Sequence, residues 1–351
     1  MRALIDVGSG SFKLNLSEVA ACPDRNELLH VLDDHSNVAV GLEAGKDREG
    51  NFTPATLDKA EAALMELRDK ALALARGQST YKRLEIAAVG TQAMRTAKNA
   101  AEFTARAAKL GIPLHVLTQD QEGEIGFRGA IQSLPKEACG ESPPLVWDVG
   151  GGSQQFTFTA GQGQLHSEKL ASASEAFRQD LTAKLPKKKA AKDCPADAAS
   201  PNPIGKKNVA LATKNAEQSV PAELRQRIKE LPSMCWIGIG GVHNKAIEAQ
   251  VQKNFAAIAS CACGGRRECT HVKNSYKRAE LACLAGYLAS KNDCGQEIRG
   301  PYSSTAVSNL FLILGFMNQL GVLEIKTADV NMGNALRFDH SLLHWQVHQV
   351  P

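Results

Sequence analysis

The sequence predicts an α/β protein of two domains, and three observations lead there. Short apolar strands alternate with amphipathic helices along the first half of the chain. A strand, a glycine-rich turn and a second, alternating strand open the chain, and the same unit opens again near residue 145. The length of 351 residues suits two ordinary domains, each with a core of its own.

Ala3-Leu4-Ile5 reads as a buried strand. Phe12, Leu14 and Leu16 alternate with Lys13, Asn15 and Ser17, so a second strand follows the turn. Thr56 to Ala75 carries apolar residues at helical spacing and charges of both signs, the pattern of a long surface helix. Leu84 to Val89 is a strand, Asn99 to Leu110 a helix with Asn99 available as its cap, and His115-Val116-Leu117 another strand. In the second half Leu145-Val146-Trp147 is a strand, and Phe156 and Phe158 alternate with polar neighbours. Ala279 to Ala289 and Ser304 to Leu320 read as buried helices, Val322 to Val330 as a last strand, and an amphipathic segment closes the chain. Residues 184–208, rich in lysine, proline and alanine, read as a mobile insertion.

Composition bounds the function. Hydrophobic residues make up 43% and charged residues 22%, as in a globular protein. A net charge of +4 is too modest for a nucleic-acid binder and tolerates a polyanionic ligand. The longest apolar run, near Leu310 to Phe316, is too short to span a bilayer, and no leader pattern stands at Met1, so a cytoplasmic protein without membrane partners is expected. The nine cysteines are odd in number and irregular in spacing, which argues against a disulfide framework. Cys261, Cys263, Cys269 and His271 hint at metal, but the spacing is not that of common zinc sites, and scattered thiols are the simpler reading. No H-E-x-x-H pair is present, which disfavours a zinc hydrolase. Lys187-Lys188-Lys189 and Arg266-Arg267 are read as solvated charge, with a path for a long anion as the alternative.

The chemistry is concentrated in the repeated turn. Asp6-Val7-Gly8-Ser9-Gly10-Ser11 returns as Asp148-Val149-Gly150-Gly151-Gly152-Ser153, identical at five of six positions. Both copies run strand, turn, strand, unlike a P-loop, and no Gly-Lys-Ser/Thr follows. Glycines permit the sharp turn and let a ligand approach the backbone. Successive amides then cradle phosphate oxygens, with Ser9, Ser11 and Ser153 adding hydroxyls. Asp6 and Asp148, each ending a strand, are candidate Mg²⁺ ligands or water-orienting groups. A third cluster, Ile237-Gly238-Ile239-Gly240-Gly241-Val242, could seat a nucleoside or a further phosphate through Gly240 and Gly241.

With the three turns in order, the chain resembles the exopolyphosphatase / guanosine pentaphosphate phosphohydrolase (Ppx/GppA) family over most of its length. Asp6 to Phe12 looks like that family's first phosphate motif, and Val89 to Asn99 like its Thr-x-Ala-x-Arg-x-Ala-x-Asn segment. Val116 to Gly129 resembles its catalytic-glutamate segment, Asp148 to Ser153 its second phosphate motif, and Gly238 to Gly241 its third glycine turn. Val330 to Arg337 falls where the family has a C-terminal glycine motif.

The resemblance implies two ribonuclease-H-like domains of the actin-like ATPase superfamily flanking a central cleft. The expected division is 1–125 and 126–334, with room for residues 335–351 to pack back on the first. It implies Glu122 as general base and Arg95 as clamp on the terminal phosphate. Gly8, Ser9, Gly10, Ser11, Gly150, Gly151, Gly152, Ser153, Gly240 and Gly241 are the implied cradle. Asp148, with Asp6 secondary, would hold Mg²⁺ or another divalent cation. The implied activity is release of terminal orthophosphate from inorganic polyphosphate or guanosine pentaphosphate. The alternative is a catalytically weak sensor binding polyphosphate or guanosine tetraphosphate. Relatives are often dimers, so a homodimer stays open.

This chain departs from the family at several positions. The family usually has Asn at Gly10, His or Arg at Lys13, and Arg near Gly41. It has an acidic residue at Gln155, and Ser-Gly in place of Thr118-Gln119.

Overall fold

The computed structural model describes residues 1–349 apart from 22–25, 79–82, 136, 171–172, 187–199, 266–269, 296–302 and 337–342. In chain order the elements begin β1 (Arg2–Val7), β2 (Ser11–Ala21), β3 (Asn26–Asp33), β4 (Asn37–Ala39), α1 (Pro54–Arg76), β5 (Arg83–Gly90), α2 (Gln92–Thr96) and α3 (Ala100–Lys109). They continue β6 (Leu114–Val116), α4 (Gln119–Ser133), β7 (Pro144–Val149), β8 (Gln154–Ala160), β9 (Gln164–Leu170), α5 (Ser174–Lys184), α6 (Val209–Gln218), α7 (Ala222–Glu230) and β10 (Cys235–Ile239). The last are α8 (Ala249–Ala262), β11 (Ser275–Lys277), α9 (Arg278–Leu288), α10 (Ser303–Leu320), β12 (Glu324–Thr327), α11 (Met332–Leu336) and β13 (Gln346–Gln349). The chain divides into two compact units, Met1–Gly129 with Val330–Pro351, and Ala130–Asp329.

The first unit is built on a mixed sheet of order β13-β5-β1-β2-β3, with β4 on β2 and β6 on β5. β1, β5 and β6 run parallel, so their C-terminal ends share one edge. The antiparallel β1–β2 pair sets Asp6 opposite Lys13 and Val7 opposite Phe12. One face packs against α1 and α3 through Ile5, Leu14, Leu57, Leu64, Ile86 and Phe103. The other face is covered by α4, α11 and their neighbours through Leu4, Val89, Ile125, Met332 and Leu336. α1 starts where Thr53 accepts from the Thr56 amide and Pro54 occupies the first turn, the usual placing of both residues.

Asn99 does precede α3, but its side chain does not cap it. Its amide oxygen accepts from the Phe52 N–H at 2.8 Å, and its NH2 donates to the Phe52 carbonyl at 3.0 Å. The two-way bond to a distant strand-like segment outcompetes the local cap. The closing amphipathic segment is β13, antiparallel to β5.

The second unit has a sheet of order β11-β12-β10-β7-β8-β9. β7, β10 and β12 are parallel, and β7–β8–β9 form an antiparallel meander. Its core gathers Trp147, Phe156, Tyr276, Leu284, Phe311 and Phe316, with α10 at the centre. Trp147 stacks on Phe156 at a centroid distance of 5.0 Å. No described helix is long and apolar enough to cross a membrane.

The cysteines correct the sequence expectation. Cys139 is disulfide-bonded to Cys235, and Cys261 to Cys283. Cys263 and Cys294 are also disulfide-bonded. Irregular spacing hid the first two bridges because each joins segments that meet only in the folded unit. Cys22, Cys194, Cys269, Lys187-Lys188-Lys189, Arg266-Arg267 and most of the expected 184–208 insertion lie outside the described residues.

Candidate active site

In both units the candidate residues sit where parallel strands end, the edge at which α/β sheets bind ligands. In the first unit three strand ends converge. β1 leads into the Gly8–Ser11 turn, β5 into α2 with Arg95, and β6 into α4 with Glu122. The ends are tied together: the Thr91 N–H donates to the Val7 carbonyl at 3.4 Å, and the Leu117 N–H to the Gly90 carbonyl at 2.9 Å. A Cβ on Gly90 would lie 2.6 Å from Met94 Cγ, so glycine there lets α2 close onto the strand.

The Gly8–Ser11 turn is closed by the Gly8 N–H donating to the Ser11 carbonyl at 3.1 Å. The loop after β4 braces it from one side. The Val40 and Gly41 amides donate to the Gly10 carbonyl at 3.0 and 2.9 Å, and the Glu43 amide to the Ser9 carbonyl at 3.1 Å. In a trans peptide the N–H points opposite to the C=O, so the Gly10 and Ser11 amides face away from that loop. Gly10 is exposed, Gly8 and Ser9 half-buried, and Ser11 buried.

α4 begins with a reciprocal cap. The Thr118 hydroxyl accepts from the Gln121 amide at 3.2 Å, and the Gln121 side-chain oxygen accepts from the Thr118 N–H at 2.9 Å. This places Glu122 in the first turn, buried at 8% exposure. Its Oε2 accepts from Arg95 Nη1 at 2.7 Å. The same Nη1 donates to the Leu117 carbonyl at 2.9 Å, and Nη2 donates to the Gln92 side-chain oxygen at 3.0 Å. The guanidinium is thus held in a fixed plane against the carboxylate. The neighbouring acids are elsewhere: Asp120 is exposed, and Glu124 pairs with Arg128 along the helix.

Asp6 is buried, and desolvation pushes its carboxyl above the usual carboxylate range, with Lys13 acting against the shift. The Lys13 ammonium stands 3.7 Å from its Oδ2.

The second unit repeats the turn in detail. The Gly150 N–H donates to the Ser153 carbonyl at 2.9 Å, as Gly8 does to Ser11. Here the brace is α5: the Ser174 and Glu175 amides donate to the Gly150 and Gly151 carbonyls at 3.4 and 3.0 Å. The Gly151 and Gly152 amides face the other way. Gly150 and Gly151 are exposed and Gly152 half-buried, while Ser153 is buried. The buried Ser11 and Ser153 serve the turns through their carbonyls as well as any hydroxyl role.

Asp148 stands opposite Gln155 on β7–β8, and Gln155 Nε2 donates to its Oδ2 at 2.9 Å. Gly240, with φ +85°, forms the third turn beside it; a Cβ there would lie 2.8 Å from Asp148 Oδ1. Gly241 is exposed at the start of a π-helix, Val242–Glu248. Asn244 in that helix donates to the Gly240 carbonyl at 3.1 Å and to the Ala328 carbonyl at 2.8 Å, fixing the turn.

Behind it His243 is fully buried, its Nδ1 2.5 Å from the Tyr276 hydroxyl, and burial pushes its pKa down to about 3.

The structure therefore brings Glu122 and Arg95 into direct contact, and sets Asp148 between two glycine turns. Sequence reasoning missed Gln92, Asn244 and the bracing α5 amides. Gln92 was detectable as a polar residue one helical turn before Arg95; the other two needed the tertiary fold.

The family implies a divalent cation, and the donor set fits one held sparingly. Gly240 itself puts no side chain against Asp148 Oδ1, while Oδ2 accepts an amide. Among the described residues no group of three or more His, Cys, Asp or Glu side chains could hold a metal ion. Mg²⁺ suits such a site, since it keeps several waters and binds through one or two carboxylates plus phosphate oxygens. Cys261, in its disulfide with Cys283, is not available as a zinc thiolate.

The fold and turns define an α/β protein of two units with paired strand–turn–strand motifs. The Ppx/GppA phosphatase family model matches residues 25–253, and the chain belongs to that family. It is 30% identical to exopolyphosphatase 2 of Mycobacterium tuberculosis over 161 residues. That match takes in 44% of this chain and 46% of the relative, so the chain spans about half the length of the curated relatives it matches. An exopolyphosphatase structure from Cytophaga hutchinsonii superposes with a TM-score of 0.65 at 17% identity, covering 95% of this chain and 96% of that one. The Aquifex aeolicus family member gives 0.62 at 18% identity, covering 95% of each. These likenesses establish the shared fold.

Proposed function

We propose that the protein is a phosphohydrolase that releases terminal orthophosphate from inorganic polyphosphate, from guanosine pentaphosphate, or from both. The observation that carries the reading is the Arg95–Glu122 pair at the strand ends beside a glycine turn, with Glu122 buried and Arg95 half-buried. A carboxylate held beside a guanidinium supplies a proton acceptor and a phosphate clamp in one place. Family membership and the name of the mycobacterial relative support the substrate class.

On this reading the Gly8–Ser11 and Gly150–Ser153 amides bind phosphate oxygens. Arg95 exchanges Glu122 for an oxygen of the terminal phosphate. Glu122 then takes a proton from a water as that water attacks the terminal phosphorus. The bridging P–O bond breaks, orthophosphate leaves, and the chain is one phosphate shorter. Asp148 would hold the divalent cation, which supplies charge neutralisation at the phosphates. Gly240 and Gly241, with Asn244 behind them, are the candidates for a further phosphate or a nucleoside.

A binding-only protein is the second reading, and the neutral Gln155 beside Asp148 is the observation that favours it. Orthophosphate release separates the two. The protein with Mg²⁺ is offered polyphosphate and guanosine pentaphosphate in parallel. Release above a no-protein control supports the enzyme, and tight binding without release supports the sensor.

A further inference from the structure

We propose, resting on the phosphohydrolase reading above, that Lys46 is a positioning residue: it couples the Gly8–Ser11 turn to Arg95, so that phosphate cradle and clamp keep one register.

The loop after β4 is already fixed where Lys46 leaves it. Its Glu43 amide donates to the Ser9 carbonyl at 3.1 Å, as part of the brace on the turn. The Gly45 carbonyl accepts from the Thr56 hydroxyl at 2.8 Å and from the Thr53 amide at 3.2 Å, which pins the loop to the start of α1. A Cβ on Gly45 would collide with Thr56 Oγ1, so glycine permits that approach. Lys46 itself forms an antiparallel bridge with Phe52, whose backbone is held by Asn99 just beyond α2.

From this anchored loop the Lys46 ammonium reaches two ways. It donates to Glu43 Oε2 at 2.7 Å and to the Thr96 hydroxyl at 2.6 Å. Thr96, the residue after Arg95, donates in turn to the Gln92 carbonyl at 3.0 Å. The Gln92 side-chain oxygen accepts from Arg95 Nη2 at 3.0 Å. Thr96 is exposed, but the Lys46 side chain is only 10% exposed, and its nitrogen lies 5.8 Å from the centre of the Phe52 ring. Charge-assisted bonds from a donor shielded in this way hold geometry better than exposed ion pairs do. One path therefore runs from Ser9 through Glu43, Lys46, Thr96 and Gln92 to Arg95.

Neither end of the path needs Lys46 in order to form. The turn is closed by its own Gly8–Ser11 bond, and Arg95 is held by Glu122 and the Leu117 carbonyl. Lys46 supplies their relative position. A small misplacement of a clamp against its substrate costs rate without unfolding the protein. Because Glu43 matches its charge, Lys46 acts through Arg95 instead of pairing with phosphate.

A double-mutant cycle tests this. Orthophosphate release from polyphosphate with Mg²⁺ is measured on wild type, Lys46→Met, Arg95→Lys and the double variant, each with its urea midpoint. Lys46→Met should lower kcat/KM at least about fivefold, through a raised KM and a lowered kcat together. In the Arg95→Lys background the same change should cost less than about twofold, because the group it positions is already altered.

A Lys46→Met kcat/KM within about twofold of wild type overturns the proposal, and so does an equal fold loss in both backgrounds. Should Lys46→Met fail to fold, Thr96→Val breaks the same path and takes its place in the cycle. If wild type releases no orthophosphate, the enzyme reading fails on its own. The same four proteins are then compared by calorimetric affinity for imidodiphosphate with Mg²⁺, under the same thresholds. A wild type that neither releases orthophosphate nor binds imidodiphosphate overturns both readings.

Discussion

Arg95 Nη1 lies 2.7 Å from Glu122 Oε2, and the same nitrogen reaches the carbonyl of Leu117, the last residue but one before α4. One guanidinium therefore positions both the carboxylate and the chain that carries it. Replacing Arg95 with Lys keeps the charge and loses the planar fork. The expected result is a raised KM for polyphosphate together with a lowered kcat, read by steady-state orthophosphate release. Replacing Gln92 with Ala frees one side of the guanidinium and gives a smaller loss of the same kind.

The glycine at position 240 is required twice over, by its φ of +85° and by the close approach of Asp148. Gly240→Ala is expected to destabilise the protein by about 1–2 kcal/mol in urea unfolding, since an L-residue is strained in that conformation. Because the added methyl also meets Asp148, phosphate-chain binding should weaken as well.

Buried His243 makes stability pH-dependent. Its folded pKa is about 3, against 6.5 unfolded, so between these values the unfolded chain binds a proton that the folded chain does not. Stability is then constant above about pH 6.5 and falls as pH drops below it, by about 1.4 kcal/mol per pH unit for one proton. Urea midpoints at pH 7.5, 6.5 and 5.5 check this, and His243→Gln should flatten the acid limb.

Asp6 acts with the opposite sign. Its folded pKa is raised by burial, so its contribution is full below about pH 3.8 and is lost as pH rises through the folded value. Asp6→Asn removes the need to ionise a buried group. The expected outcome at pH 8 is equal or greater thermal stability, with phosphate release reduced. A stability loss there would speak against the desolvation account.

The disulfides give a measurable difference. Cys139–Cys235 and Cys261–Cys283 close sequence separations of 96 and 22 residues. By loop-closure entropy these correspond to about 5 and about 3 kcal/mol. Thiol titration of the denatured, unreduced protein should count at least six thiols fewer than the nine cysteines, and reduction should lower the melting temperature.

Much of this architecture was legible because it is local. The two glycine turns, the apolar strands before them and the helical periodicity of α1 and α10 are written in consecutive residues, as are Glu122 and Arg95 once the motifs are aligned. What stayed hidden depends on segments far apart in sequence. The Asn99 side chain bonds the Phe52 backbone instead of its own helix, because two hydrogen bonds there outweigh one cap. Asn244 fixes Gly240 by reaching Ala328, and Cys139 finds Cys235 across 96 residues. Periodicity carries no trace of such meetings.

The account stands most directly on Glu122. Orthophosphate release from polyphosphate with Mg²⁺ should fall about 10²- to 10⁴-fold in kcat in Glu122→Gln, as expected for loss of a general base, with KM changed little. A Glu122→Gln variant that hydrolyses polyphosphate at the wild-type rate would contradict it.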